Sequence, residues 1–102
     1  DQAFQVGSSG YNVEVYMDNC IVPSNGSITI QNQNSSQGKS SAKLYMSNMH
    51  CGSIELNDRG GNDGNNMLFL GKGASCSSIE GTGATLVDST TYKDQEFCQD
   101  IA

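Results

Sequence analysis

The chain has no tryptophan, a single proline (Pro23) and a single histidine (His50) in 102 residues. One histidine leaves no His-based zinc set, and the cysteines at 20, 51, 76 and 98 contain no C-x-x-C pair, so the usual structural zinc spacings are missing. Lysine and arginine together number 5 against 11 acidic residues, for a net charge of −6. A surface with so few cations cannot neutralise a run of phosphates, which argues against nucleic acid as a partner. The same shortage argues against docking on anionic lipid. No apolar run is long enough for a membrane-spanning helix.

What is present is glycine, serine and asparagine, with four cysteines and a hydrophobic content of 35%. That supplies one domain over 1–102, with a core of modest margin that covalent staples would help. An even cysteine count in such a chain predicts two disulfides and an oxidising compartment. The first residue is Asp1, and the chain reads as the mature form of a secreted protein. Asn25-Gly26-Ser27 and Asn34-Ser35-Ser36 match the glycosylation pattern, a weak signal in so Asn/Ser-rich a chain.

Helical periodicity is nearly absent, whereas two-residue alternation recurs. Val13, Val15 and Met17 share one face of a segment whose other face carries Glu14 and Tyr16. Ile28 and Ile30 repeat the scheme, as do Ala42, Leu44 and Met46 against Lys43 and Tyr45, and then Ile54 and Leu56. Met67–Leu70 is a continuous apolar run, and 3–6 and 84–87 are weaker strands. Gly/Asn/Ser-rich turns separate them, Asn25-Gly26 being the clearest reversal signal. Residues 77–102 form a C-terminal extension to which no structure is assigned beyond the weak strand at 84–87, although Cys98 suggests that it is tied back.

VYMDNCIVPSNGSITI at 15–30 is echoed by LYMSNMHCGSIEL at 44–56 and more loosely by LFLGKGASCSSIE at 68–80. True repeat folds hold their period, and these copies are unevenly spaced. The sequence therefore favours recurring hairpin chemistry over a repeat architecture.

No catalytic constellation stands out. His50 and Cys51 are adjacent, so in a strand their side chains point apart. The outward alternation of Glu14 and Glu55 reads as a solvated face, and there is no G-x-S-x-G. The loop from Asp58 to Asn66 alternates carboxylates and amides with glycine, in the manner of a calcium loop, but a glycine turn explains it more simply. The expectation is a non-enzyme with no cofactor.

The order of a strand ending at Cys20, Val22-Pro23, a turn with Gly26, the strand 27–31, the strand 42–47, Cys51-Gly52, the strand 54–56, an apolar segment and Cys76 resembles the MAX effectors. These are secreted virulence proteins of plant-pathogenic fungi, and the likeness is greatest to the ToxB type. It covers residues 3–76 and implies an all-β, disulfide-stapled β-sandwich of two three-stranded antiparallel sheets, with strands near 3–6, 13–17, 27–31, 42–47, 54–56 and 67–70. It also implies a Cys20–Cys76 bridge, and Cys51–Cys98 in place of the family's N-terminal bridge, since Phe4 stands where that cysteine would be. On the residues alone all three pairings stay open. The family's role implies a monomeric, non-catalytic protein that binds a host plant protein, outside host cells or inside them after translocation. The outward residues Glu14, Tyr16, Lys43 and Tyr45 are the candidate contacts. Alternatives in other secreted classes are a killer-toxin-like or antimicrobial protein, a protease inhibitor and a βγ-crystallin-like calcium binder.

Overall fold

A computed structural model describes residues 2–9, 12–33, 41–58, 66–82 and 85–97. Among these residues eight strands follow one another: β1 (Gln2–Ser9), β2 (Asn12–Asp18), β3 (Ser27–Gln33), β4 (Ser41–Ser47), β5 (Met49–Asp58), β6 (Asn66–Leu70), β7 (Ala74–Thr82) and β8 (Thr85–Asp88). They form two four-stranded sheets, β1-β3-β5-β7 and β2-β4-β6-β8, called here the odd and even sheets. Every pairing is parallel.

This corrects the expected sandwich of two three-stranded antiparallel sheets. Antiparallel neighbours are joined by a tight hairpin, whereas parallel neighbours need a crossover of a dozen residues or more. Here the crossover between odd strands is an even strand, and the reverse holds for the even sheet. The chain thus winds as a β-solenoid of four two-strand coils. The alternation that marks a hairpin strand marks a solenoid strand equally well, because both bury one face.

The buried faces of the two sheets meet in one core. The odd sheet contributes Val6, Ile28, Ile30, Ile54 and Leu56, and the even sheet Ala42, Leu44, Met46 and Leu68. Ile28, Ile30, Leu44, Met46, Ile54 and Leu68 are wholly buried, each worth roughly 1.5–3 kcal/mol relative to exposure. The expected inward sets of β3, β4 and β5 are those of the structure. The strand β7 was not expected, since its Ser-Cys-Ser-Ser run has little apolar character.

The echoes are repeats after all. Tyr16 pairs with Tyr45 and Tyr45 with Phe69, while Ile28 pairs with Ile54 and Ile54 with Ile79. Asn19 (φ 59°), Asn48 (φ 50°) and Gly73 (φ 70°) mark the same even-to-odd corner in successive coils. Each takes a left-handed conformation that asparagine and glycine tolerate best. The corners also bond to one another: the Asn19 N–H donates to the Ser47 carbonyl and the Asn48 N–H to that of Lys72.

The staples are corrected too. Cys20, Cys51 and Cys76 are free thiols, and Cys98 lies outside the described residues, so neither expected bridge is present among those described. Parallel register sets Cys51 against Cys76 rather than bringing Cys76 to Cys20. The Cys51 thiol donates to the Ser53 carbonyl at 3.1 Å and that of Cys20 to the Asp18 carbonyl at 3.6 Å. Burial, and then the nearby Cys51, push the Cys76 thiol up to about 11.

Because Asn19 is exposed, its corner role can be separated from packing. Asn19→Val should cost about 1–2 kcal/mol through the left-handed φ alone, with Asn19→Gly close to neutral, as read from urea midpoints. Equal midpoints for the two variants would contradict the corner assignment.

Candidate functional site

Alternation places Glu14 and Tyr16 of β2, Lys43 and Tyr45 of β4, and Met67 and Phe69 of β6 on the outer face of the even sheet. In-register parallel pairing puts like on like. Tyr16 stacks on Tyr45 with centroids 4.4 Å apart and 11° between planes, and Tyr45 on Phe69 at 4.5 Å and 12°. Offset stacked pairs of this kind add about 0.5–1.5 kcal/mol beyond their buried area.

The segment after β8 crosses this face as a strap. Asp88 starts it: its carboxylate accepts from the N–H groups of Thr90 and Thr91, both at 2.9 Å, and from their hydroxyls. These bonds, the Thr91 hydroxyl foremost, hold the Asp88 carboxyl down at about 2. Tyr92 then meets the Tyr45 and Phe69 rings edge-on, and Phe97 meets Tyr45 in the same way at 5.3 Å. Backbone bonds fix the strap's far end: the Lys72 N–H donates to the Gln95 carbonyl, and the Phe97 N–H to the Ser47 hydroxyl at 2.8 Å. Ser47 donates in turn to Asp18, which also accepts from the Asn48 amide. Asn48 reaches Glu96 as well.

Gly71 makes the closeness possible. A Cβ there would stand 2.5 Å from the Gln95 carbonyl oxygen and 2.6 Å from the Phe97 ring.

The structure therefore brings the four candidate contact residues onto one face but does not present them equally. Tyr45 is 8% exposed, enclosed by the strap, while Tyr16 is 46% exposed at the end of the ring column. The Tyr16 hydroxyl donates to Glu14 at 2.7 Å. That bond first, then desolvation, pushes its phenol up to about 12, and burial raises that of Tyr45. Lys43 lies opposite Glu14 in the β2–β4 register.

Tyr92 and Phe97 belong to this site although alternation did not reveal them. Their one signal is that they are the aromatic residues of an otherwise polar tail.

His50 is exposed, with Ser75 Oγ 2.8 Å from Nδ1 and Ser77 Oγ 3.3 Å from Nε2. Serines on both ring nitrogens make a polar surface network across β5 and β7. Among the described residues no group of three or more His, Cys, Asp or Glu side chains is placed to hold a metal ion. The calcium reading was attached to the loop from Asp58 to Asn66; Asp58 ends β5 and Asn66 begins β6, and residues 59–65 between them lie outside the described residues.

The solenoid's two ends complete the site. At the β1/β2 end Phe4 is 41% exposed; at the β7/β8 end Ile79 and Val87 are 40% and 39% exposed. All three continue interior columns, being registered with the fully buried Ile28, Ile54 and Leu68.

Two outcomes test the strap. Gly71→Ala should lift it, so that trypsin cleaves after Lys93 markedly faster than in the parent while the far-UV spectrum is kept; unchanged cleavage would refute the close approach. The carboxyl of Asp88 has a folded pKa below its ordinary 3.8. Its contribution is thus fully present above that value and is lost as pH falls through about 2. Tyr92 signals followed by NMR should shift in that window, and Asp88→Asn should remove the step.

No protein-family model matches the chain, and neither does any curated protein or solved structure.

Proposed function

We propose that this chain is a secreted, non-catalytic binding protein, an effector that holds a host protein at the β1/β2 end of its solenoid. The observation that carries the reading is Tyr16: one face of its ring packs on Tyr45, yet the residue stays 46% exposed on β2, the edge strand of the even sheet among the described residues. A half-covered tyrosine offers apolar area at little cost in side-chain entropy, as binding anchors do. The open edge beside it offers backbone donors and acceptors to an added strand, so affinity and specificity would come from neighbouring groups. Glu14 fixes the phenol tip and supplies a negative rim.

The MAX resemblance implies a strand topology that this chain does not have, so the reading rests on the ring and the edge. A plant as host, and a fungus as source, are carried by that resemblance alone. The same reading makes His50, Ser75 and Ser77 a structural network rather than a reactive one.

The test is retention of plant proteins on the immobilised chain, read by mass spectrometry, with Tyr16→Ala alongside. The parent should retain a defined protein whose Kd rises about tenfold or more in Tyr16→Ala, since truncating an aromatic anchor costs roughly 2 kcal/mol or more. An unchanged Kd in the variant would overturn the assignment of the site.

A further inference from the structure

We propose that copies of this chain stack end to end, the β7/β8 end of one receiving the β1/β2 end of the next so that both sheets run through the junction. The inference rests on the reading of the solenoid ends as binding edges, and it names a second partner for them.

Among the described residues the edge strands are β1 and β7 in the odd sheet and β2 and β8 in the even one. At either end two parallel edges therefore lie side by side, and a single extended peptide can satisfy only one of them. A partner that completes both must itself carry two strands of matching direction and separation. Another copy of this solenoid does so by construction.

The columns agree. Extending the internal register across the junction sets Phe4 of the incoming copy on Ile79, Gln5 on Glu80 and Val6 over Gly81, where the missing side chain leaves room for a bulkier neighbour. In the even sheet Val15 falls on Val87 and Tyr16 on Asp88. The half-exposed apolar groups of the two ends thus cover one another, and none of these pairs opposes two like charges. Contact between unlike ends does not close on itself, so the product is a growing row rather than a dimer. The opposing force is self-repulsion, since each copy carries −6.

The test is the mass of the full chain by light scattering and sedimentation velocity over a wide range of protein and salt concentrations. The parent should grow beyond a dimer as its concentration rises, and more readily at high salt, where the repulsion is screened. Ile79→Lys and Phe4→Lys, at half-exposed positions, should each be monomeric with melting curves close to that of the parent. Mixed together they should form a dimer and stop there, because the intact β7/β8 end of Phe4→Lys still receives the intact β1/β2 end of Ile79→Lys. A parent that stays monomeric throughout overturns the inference. So does association of Phe4→Lys alone, which would mean contact between like ends, and so does a mixture that fails to pair. Capture of a plant protein through Tyr16 by a parent that remains monomeric would leave the binding reading standing while this inference fails.

Discussion

The molecule depends on parallel register, in which each side chain sits on the corresponding side chain of the next coil. From it follow the isoleucine column inside, the ring column outside and the repeated left-handed corner. A one-residue slip would turn every buried side chain of a strand outward. The wholly buried Ile28, Ile54, Leu44 and Leu68 make that slip costly, and so hold Tyr16, Tyr45 and Phe69 in face-to-face contact.

Strand positions were legible and strand pairing was not. The alternation of Val13–Met17, Ile28–Ile30 and Ala42–Met46 reports which face is buried, and it is blind to what lies beside the strand. Pairing was encoded in the echo of Val15–Ile30 at 44–56 and 68–80. That signal was obscured because loop length is free to vary in a solenoid: Tyr16, Tyr45 and Phe69 are unequally spaced, whereas Ile28, Ile54 and Ile79 nearly hold their period. Asn25-Gly26 was read as a hairpin reversal, whereas the residues with a left-handed φ are Asn19, Asn48 and Gly73, at the even-to-odd corners.

The site was half legible for a related reason. Glu14, Tyr16, Lys43 and Tyr45 share a face, as alternation requires. Which of them meets solvent is decided by a segment dozens of residues away, through Gly71 and the Ser47 hydroxyl, and local patterns carry no trace of it. The cysteines misled because an even count is shared by stapled domains and by chains whose thiols simply pack, as Cys51 does beside Met49 and Ile54.

The strap gives the molecule an order of assembly. In a solenoid each coil touches only its neighbours, so early coils can settle while later ones are still being made. The outer face of the even sheet is the exception. Tyr45 of the second coil and Phe69 of the third are roofed only when residues 92–97 arrive, and the bonds from Phe97 to Ser47 and from Lys72 to Gln95 tie those two coils crosswise. Without residues 92–97 the Tyr45 and Phe69 rings would lie open on the outer face of the even sheet, an apolar ladder that the two-strand coils alone cannot cover.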